Sequence, residues 1–149
     1  MMADGVSRIH APLVSADTLA AVRAAKALGA VVDRGTDAVW TVAGTGGDLH
    51  QPADVIDMAN SGTSIKIFAG LAALRPFPVS FDGDESLRSR PMAPLLSALE
   101  KLGVKTEASF GRCPFTVEGP MTNGKTLVNG ESSQYVTAIL LSAPPSSQP

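Results

Sequence analysis

Apolar positions along the chain change their spacing several times, and each change predicts an element. Over residues 18–28, Leu19, Val22, Ala25 and Leu28 recur at helical spacing, with Gly29 placed to end the helix. Ser15 or Asp17 can accept the free N–H groups at its start. Two short strands are expected over 30–32 and 38–42, around the turn residues Asp33, Gly35 and Asp37. Residues 64–74 are apolar enough for a buried helix, introduced by the polar run Asn60-Ser61-Gly62-Thr63. Residues 79–81 read as a strand closed by Asp82-Gly83. A helix over 91–102 sets Leu95, Leu96, Leu99 and Leu102 on one face and stops at Gly103. Strands follow over 104–107, 115–118 and 127–129, then a last helix over 135–142 that ends before Pro144-Pro145.

These rounds repeat. Leu28-Gly29 returns as Leu102-Gly103 after 74 positions, and Trp40-Thr41-Val42-Ala43-Gly44 returns as Phe115-Thr116-Val117-Glu118-Gly119 after 75. The shared order is helix, Leu-Gly, strand, turn, strand. Such repetition predicts stacked α/β units that bury their apolar faces on one another. No strand and helix are read ahead of Leu13, so the first unit looks cut short.

Composition narrows the class. With 44% hydrophobic and 17% charged residues the chain can bury a core, and 149 residues suit one domain better than two. A net charge of −2 gives no electrostatic reason to expect nucleic acid or a membrane surface. Cys113 is the sole cysteine, which excludes an internal disulfide and a cysteine-based zinc site. It precedes Pro114 in an expected strand connection and reads as a structural thiol. His10 and His50 lack ligand spacing, no apolar run approaches the ~20 residues of a membrane span, and MMADGVSR lacks a signal-peptide pattern. A reducing cytoplasm is the expected compartment.

Three polar helix starts could carry chemistry. Asn60-Ser61-Gly62-Thr63-Ser64 lets backbone N–H groups approach an anion at the positive end of a helix, or merely caps that helix. Lys66, in the first turn, opposes the helix dipole and favours a nearby anion. In Asp84-Glu85-Ser86-Leu87-Arg88-Ser89-Arg90-Pro91, Pro91 suits a first helical turn and sets Arg90 at a helix N-terminus. Arg90 is either an oxyanion fork or a solvated partner of Asp84 or Glu85. Ser132-Ser133-Gln134 supplies two hydroxyls and an amide, more polar groups than a cap needs. Asp82, Asp84 and Glu85 are too close for an EF-hand, Thr45-Gly46-Gly47 lacks a P-loop lysine, and no nucleophile motif supports a hydrolase triad.

Together, Asn60-Ser61-Gly62-Thr63, the segment from Gly83 to Pro91, and Ser132-Ser133-Gln134-Tyr135 stand in the order and approximate spacing seen in 5-enolpyruvylshikimate-3-phosphate (EPSP) synthase. Pro12-Leu13-Val14-Ser15-Ala16-Asp17-Thr18 also resembles that family's segment before its early helix, so the resemblance runs from about Gly5 to Pro144. It implies an α/β (α+β) architecture of βαβαββ units in two inside-out, barrel-like domains that close over the substrates. This chain would be one incomplete domain: a truncated first unit over about 5–50, a second over about 51–125, and the start of a third over 126–149. The implied reaction moves the enolpyruvyl group of phosphoenolpyruvate to the 5-hydroxyl of shikimate 3-phosphate, in the route to chorismate and the aromatic amino acids. It uses no organic cofactor and no redox metal. The implied partners are the two small substrates and the remainder of the enzyme.

By resemblance, Ser132, Ser133 and Gln134 would hold shikimate 3-phosphate. Gln134, Gly62 and Arg90 would meet phosphoenolpyruvate, Asn60 would support the Gly62 loop, and Arg88 and Lys66 are further candidates. The family usually has Arg at the position of Lys66, so a two-point contact there is in question. The family's early Lys-Ser segment with its Arg, and its later acidic and basic groups, have no match in this sequence, and the main acid–base residues would be among them. A UDP-N-acetylglucosamine enolpyruvyl transferase is the nearest alternative, but residues 81–89 lack the Cys typical of that class. A free-standing anion-binding module and a partial gene product are the others.

Overall fold

The computed structural model describes residues 1–35, 38–122, 124–128, 130 and 132–143. Two sheets organise it. The first is antiparallel, with β1 (Val6–His10) and β2 (Val31–Asp33) on either side of β3 (Val39–Ala43). The second runs β4-β5-β7-β6, from β4 (Ile56–Asp57), β5 (Pro78–Asp82), β6 (Lys105–Ser109) and β7 (Arg112–Glu118). Its β4–β5 pair is parallel and the other two pairs are antiparallel. The helices are α1 (Ala16–Ala27), α2 (Gly62–Ala72), α3 (Glu85–Arg88), α4 (Ala93–Glu100) and α5 (Ser133–Ser142).

The repeat seen in the sequence is a repeat of geometry. At the end of α1, the Gly29 N–H donates to the Lys26 carbonyl and the Ala30 N–H to the Ala25 carbonyl. After α4, Gly103 donates to Glu100 and Val104 to Leu99 in the same pattern. Both glycines sit at positive φ, 103° and 85°, where a side chain would be strained. Each Leu-Gly therefore turns the chain out of a helix and into a strand. In the next layer, β3 lies between β1 and β2 as β7 lies between β5 and β6.

The core sits between the second sheet and the helices. Cys113, Phe115 and Val117 alternate inward along β7, and Val79 and Phe81 do so along β5, as a half-buried sheet requires. Phe81 pairs with Phe115 in register, their rings 5.5 Å apart. α2 is the central helix, and Ile65, Phe68, Ala69, Leu71 and Ala72 on it are buried. Leu95, Leu96 and Leu99 are buried from α4, and Leu102 from the turn just past its end, as their spacing predicts.

Several expectations need correction. A strand, β1, precedes Leu13; all five of its residues are exposed, so no alternation marks it in the sequence. The buried face of α1 is Ala20, Ala24 and Ala25, followed by Leu28, whereas Leu19 and Val22 are only half-buried. Leu127 and Val128 form no strand, and Leu127 is exposed; Asn129 lies outside the described residues. Asp37 and Pro144-Pro145 also lie outside them. Cys113 is on β7 itself, not in a connection.

Candidate functional site

Three helices begin at one polar cleft. Its volume is about 480 Å³, and it is lined by Ala16, Asp17, Asn60, Gly62, Thr63, Arg90 and Gln134. Ala16 and Asp17 open α1, Gly62 and Thr63 open α2, and Gln134 lies in the first turn of α5. Each helix start carries partial positive charge and unshared N–H groups, so their convergence favours an anion.

The caps explain how these starts are held. Ser15 caps α1 in a reciprocal box with Thr18, which leaves Asp17 to face the cleft. Ser61, almost wholly buried, caps α2 by accepting from the Ser64 N–H. Ser132 caps α5 by accepting from the Gln134 N–H at 3.3 Å.

Arg90 does not begin a helix. It follows α3, whose N-cap is Asp84, and its N–H donates to the Leu87 carbonyl. α4 starts at Ala93, and the Met92 and Ala93 N–H groups donate to the Gly111 carbonyl rather than facing the cleft. A four-residue helix is too short to show a period, so the sequence reads Pro91 as the opening of the next helix. The Arg90 guanidinium donates to Asn60 Oδ1 and, at 3.3 Å, to Ser86 Oγ. No ion pair joins it to a carboxylate among the described residues, so the solvated-pair reading with Asp84 or Glu85 does not hold. Gly62 makes room for this approach, since a Cβ there would lie 2.6 Å from Arg90 Nη1.

Arg88 points elsewhere. It pairs with Asp82 and borders a different hollow with Asp57 and Asp84. The Arg88 hydrogen bond holds the Asp82 carboxyl below its ordinary value.

Lys66 lies beneath the cleft. It is 7% exposed, its Nζ donates to Gln134 Oε1 at 2.7 Å, and it stands 5.2 Å from the centre of the Tyr135 ring. Burial, with the Arg90 charge as a second cause, lowers its pKa below the usual lysine value. Gln134 Nε2 donates in turn to Thr63 Oγ1 at 2.8 Å.

The structure thus gathers Asn60, Gly62, Arg90 and Gln134 at one cleft, with Lys66 under it. Ser132 and Ser133 stand beside it, at the start of α5, without lining it. Asn60 orients Arg90 directly instead of only supporting the Gly62 loop. Thr63 lies in the polar run that the sequence offers as an anion site, whereas Asp17 reads in sequence only as a possible cap; the reciprocal Ser15–Thr18 spacing is the signal that frees it.

Cys113 is no rival nucleophile. Burial, with the neighbouring Asp82 charge, pushes its thiol up to about 11, so the thiolate is scarce near neutrality. No group of three metal-ligating side chains occurs among the described residues, and no helix there is long and apolar enough to cross a membrane.

Comparison with known proteins bears on the family and the fold. The family model for EPSP synthase (3-phosphoshikimate 1-carboxyvinyltransferase) matches residues 1–148. The 3-phosphoshikimate 1-carboxyvinyltransferase of Methanothermobacter thermautotrophicus is 46% identical over 146 residues, covering 96% of this chain and 34% of that protein. The one from Acetivibrio thermocellus is 39% identical, with the same coverage. A solved EPSP synthase from Acinetobacter baumannii superposes with a TM-score of 0.86 at 27% identity, over 95% of this chain and 33% of that one. The chain spans about a third of the length of these relatives. With the family's motifs in register, three helix starts at one cleft and a family match over nearly every residue, the chain belongs to the EPSP synthase family.

Proposed function

We propose that this chain is the substrate-holding part of an enzyme that transfers the enolpyruvyl group of phosphoenolpyruvate to shikimate 3-phosphate. The observation that carries the reading is the cleft itself: Arg90 meets Thr63 and Gln134 where α1, α2 and α5 begin, with a second cation, Lys66, behind them. Two cations that close together raise each other's electrostatic cost, and a bound oxyanion relieves it. Arg90 spans Asn60 and the cleft, and its fork suits the carboxylate or phosphate of phosphoenolpyruvate. Ser132 and Ser133 at the start of α5, with Gln134, serve the phosphate and hydroxyls of shikimate 3-phosphate. Asp17 offers an acceptor to a substrate hydroxyl.

In this reading the chain forms one incomplete domain, with units over about 5–50, 51–125 and 126–149, and the remainder of the enzyme is its partner. The reaction makes a bond from the 5-hydroxyl oxygen to the enolpyruvyl group and breaks that group's bond to phosphate. It needs a proton taken from the hydroxyl, and one delivered to the methylene carbon and removed again as phosphate leaves, so that the C=CH2 group is restored. The residues of the cleft bind and orient; they do not supply that acid–base pair. The chain alone therefore binds and does not turn over.

Calorimetric titration with shikimate 3-phosphate, using shikimate as control, tests the binding half. Saturable binding that requires the phosphate and is lost in Ser132→Ala/Ser133→Ala supports it. Because Ser132 also caps α5, the variant should lose about 1 kcal/mol of helix stability, so its fold must be checked by circular dichroism. Equal heats for both ligands would refute the reading. Phosphate release above a no-protein blank, with both substrates present, would refute the claim of inactivity.

A further inference from the structure

We propose that Lys66 is a positioning residue that sets the direction of the hydrogen bonds running through Gln134 and Thr63, so that the cleft presents donors to its ligand. An ammonium has three donors and no acceptor. Its 2.7 Å contact therefore fixes Gln134 with Oε1 inward and Nε2 outward; the opposite flip would set donor against donor. Nε2 then donates to Thr63 Oγ1 at 2.8 Å. Since that oxygen already accepts, the Thr63 O–H is released to donate to a ligand, and so is the second N–H of Gln134. A neutral residue at position 66 would leave the amide free to flip and present a carbonyl oxygen to the anion instead.

The packing suits this role. The side chain of Lys66 is buried from water and rests over the Tyr135 ring, whose hydroxyl donates to the Pro91 carbonyl at 2.9 Å. The ammonium is thereby held between α2 and α5, where its one described side-chain acceptor is Gln134. Its charge is spent on orienting a neutral amide, one bond back from the ligand.

The inference deepens the proposed function and rests on it for the identity of the ligand, so the test has one arm that needs no ligand. In the first arm, the side-chain amide resonances of Gln134 are followed by nitrogen-15 NMR in the free protein and assigned by their loss in Gln134→Ala. Wild type and Lys66→Arg should show a shifted, exchange-protected amide, and Lys66→Met a solvent-like one. In the second arm, shikimate 3-phosphate is titrated into the same proteins. Lys66→Met should bind about tenfold more weakly, the order expected for misdirecting a hydrogen bond to a charged group. Lys66→Arg should keep most of the affinity. In the Gln134→Ala background, Lys66→Met should have little further effect, because Lys66 acts through the amide. An amide indifferent to Lys66→Met overturns the relay. So does a loss of affinity equally large with and without Gln134, which would mark a direct charge effect. If wild type fails to bind while its amide is ordered by Lys66, the ligand assignment falls and the positioning of Gln134 stands.

Discussion

Gly70→Ala is expected to loosen the whole cleft from a distance. Gly70 lies in α2 where that helix meets α5, and a Cβ there would stand 2.4 Å from Ser142 Oγ and 2.7 Å from the Ala138 carbonyl oxygen. The serine can swing aside only by breaking its own bond to Ala138, whereas the carbonyl belongs to the backbone of α5. Opening the second contact to an ordinary 3.4 Å displaces α5 by about 0.7 Å. Overpacking of this kind costs roughly 1–3 kcal/mol. The gain in helix propensity from Gly to Ala returns up to about 1 kcal/mol. With the full return the net loss is about 0–2 kcal/mol, a fall in melting temperature of up to roughly 8 °C for a chain of this size. Gln134 sits one turn before Ala138 on α5, so the same displacement stretches its bonds to Lys66 and Thr63. Binding of shikimate 3-phosphate should suffer more than stability does. Thermal melts by circular dichroism and calorimetric titration on one preparation measure both. Gly130→Ala, where a Cβ would meet nothing, is the control. An unchanged or raised melting temperature with intact binding would refute the reasoning, because it would mean that the α2–α5 contact is not tight.

Other outcomes follow from single groups. Arg90→Lys keeps the charge but loses the fork that reaches both Asn60 and the cleft, so phosphoenolpyruvate binding in the presence of shikimate 3-phosphate should weaken at least about tenfold with the melting temperature unchanged; equal affinity in a competition titration would contradict it. Cys113, with its thiol pushed up to about 11, should resist Ellman's reagent at pH 8 in the folded protein and react at once when denatured. A raised thiol stabilises fully below its ordinary value and loses that contribution as pH climbs through about 11, so alkaline melts should track the onset of labelling. Lys66 has a lowered value, so its folded-state advantage is complete only above the ordinary lysine value of 10.5 and is lost as pH falls through the depressed one. The melting temperature of wild type minus that of Lys66→Met should therefore rise from pH 7 to pH 10, and a constant difference would show that Lys66 is not desolvated.

Which elements the sequence reveals depends on how much apolar periodicity each one needs. The 91–102 leucines and the inward pair Phe115 and Val117 are legible because burial sets their spacing, whereas Cys113, inward on the same strand, reads in sequence as part of a connection. β1 is invisible to the same reasoning, since neither of its faces is covered. α1 misleads for a subtler reason: the larger residues Leu19 and Val22 suggest the buried face, but close packing selects the small Ala20 and Ala24. α3 and the two-residue β4 are shorter than any period that could announce them.

The candidate site was legible in its residue types and not in its wiring. Small polar residues before a helix, an arginine before a proline and a Ser-Ser-Gln run each fit an oxyanion as well as a cap or a solvated pair, and the structure brings Asn60, Gly62, Arg90 and Gln134 into one cleft. What no spacing rule contains is the bond between residues 68 positions apart that joins Lys66 to Gln134. In sequence, Lys66 reads as a first-turn cation that opposes the helix dipole and favours a nearby anion. In the fold it is buried, and its charge ends on an amide oxygen. That difference changes what the substitution of Lys for Arg means. A lysine that touched the ligand would lose a two-point contact. A lysine that orients Gln134 needs only one donor, so the relevant property of position 66 is that it donates and never accepts.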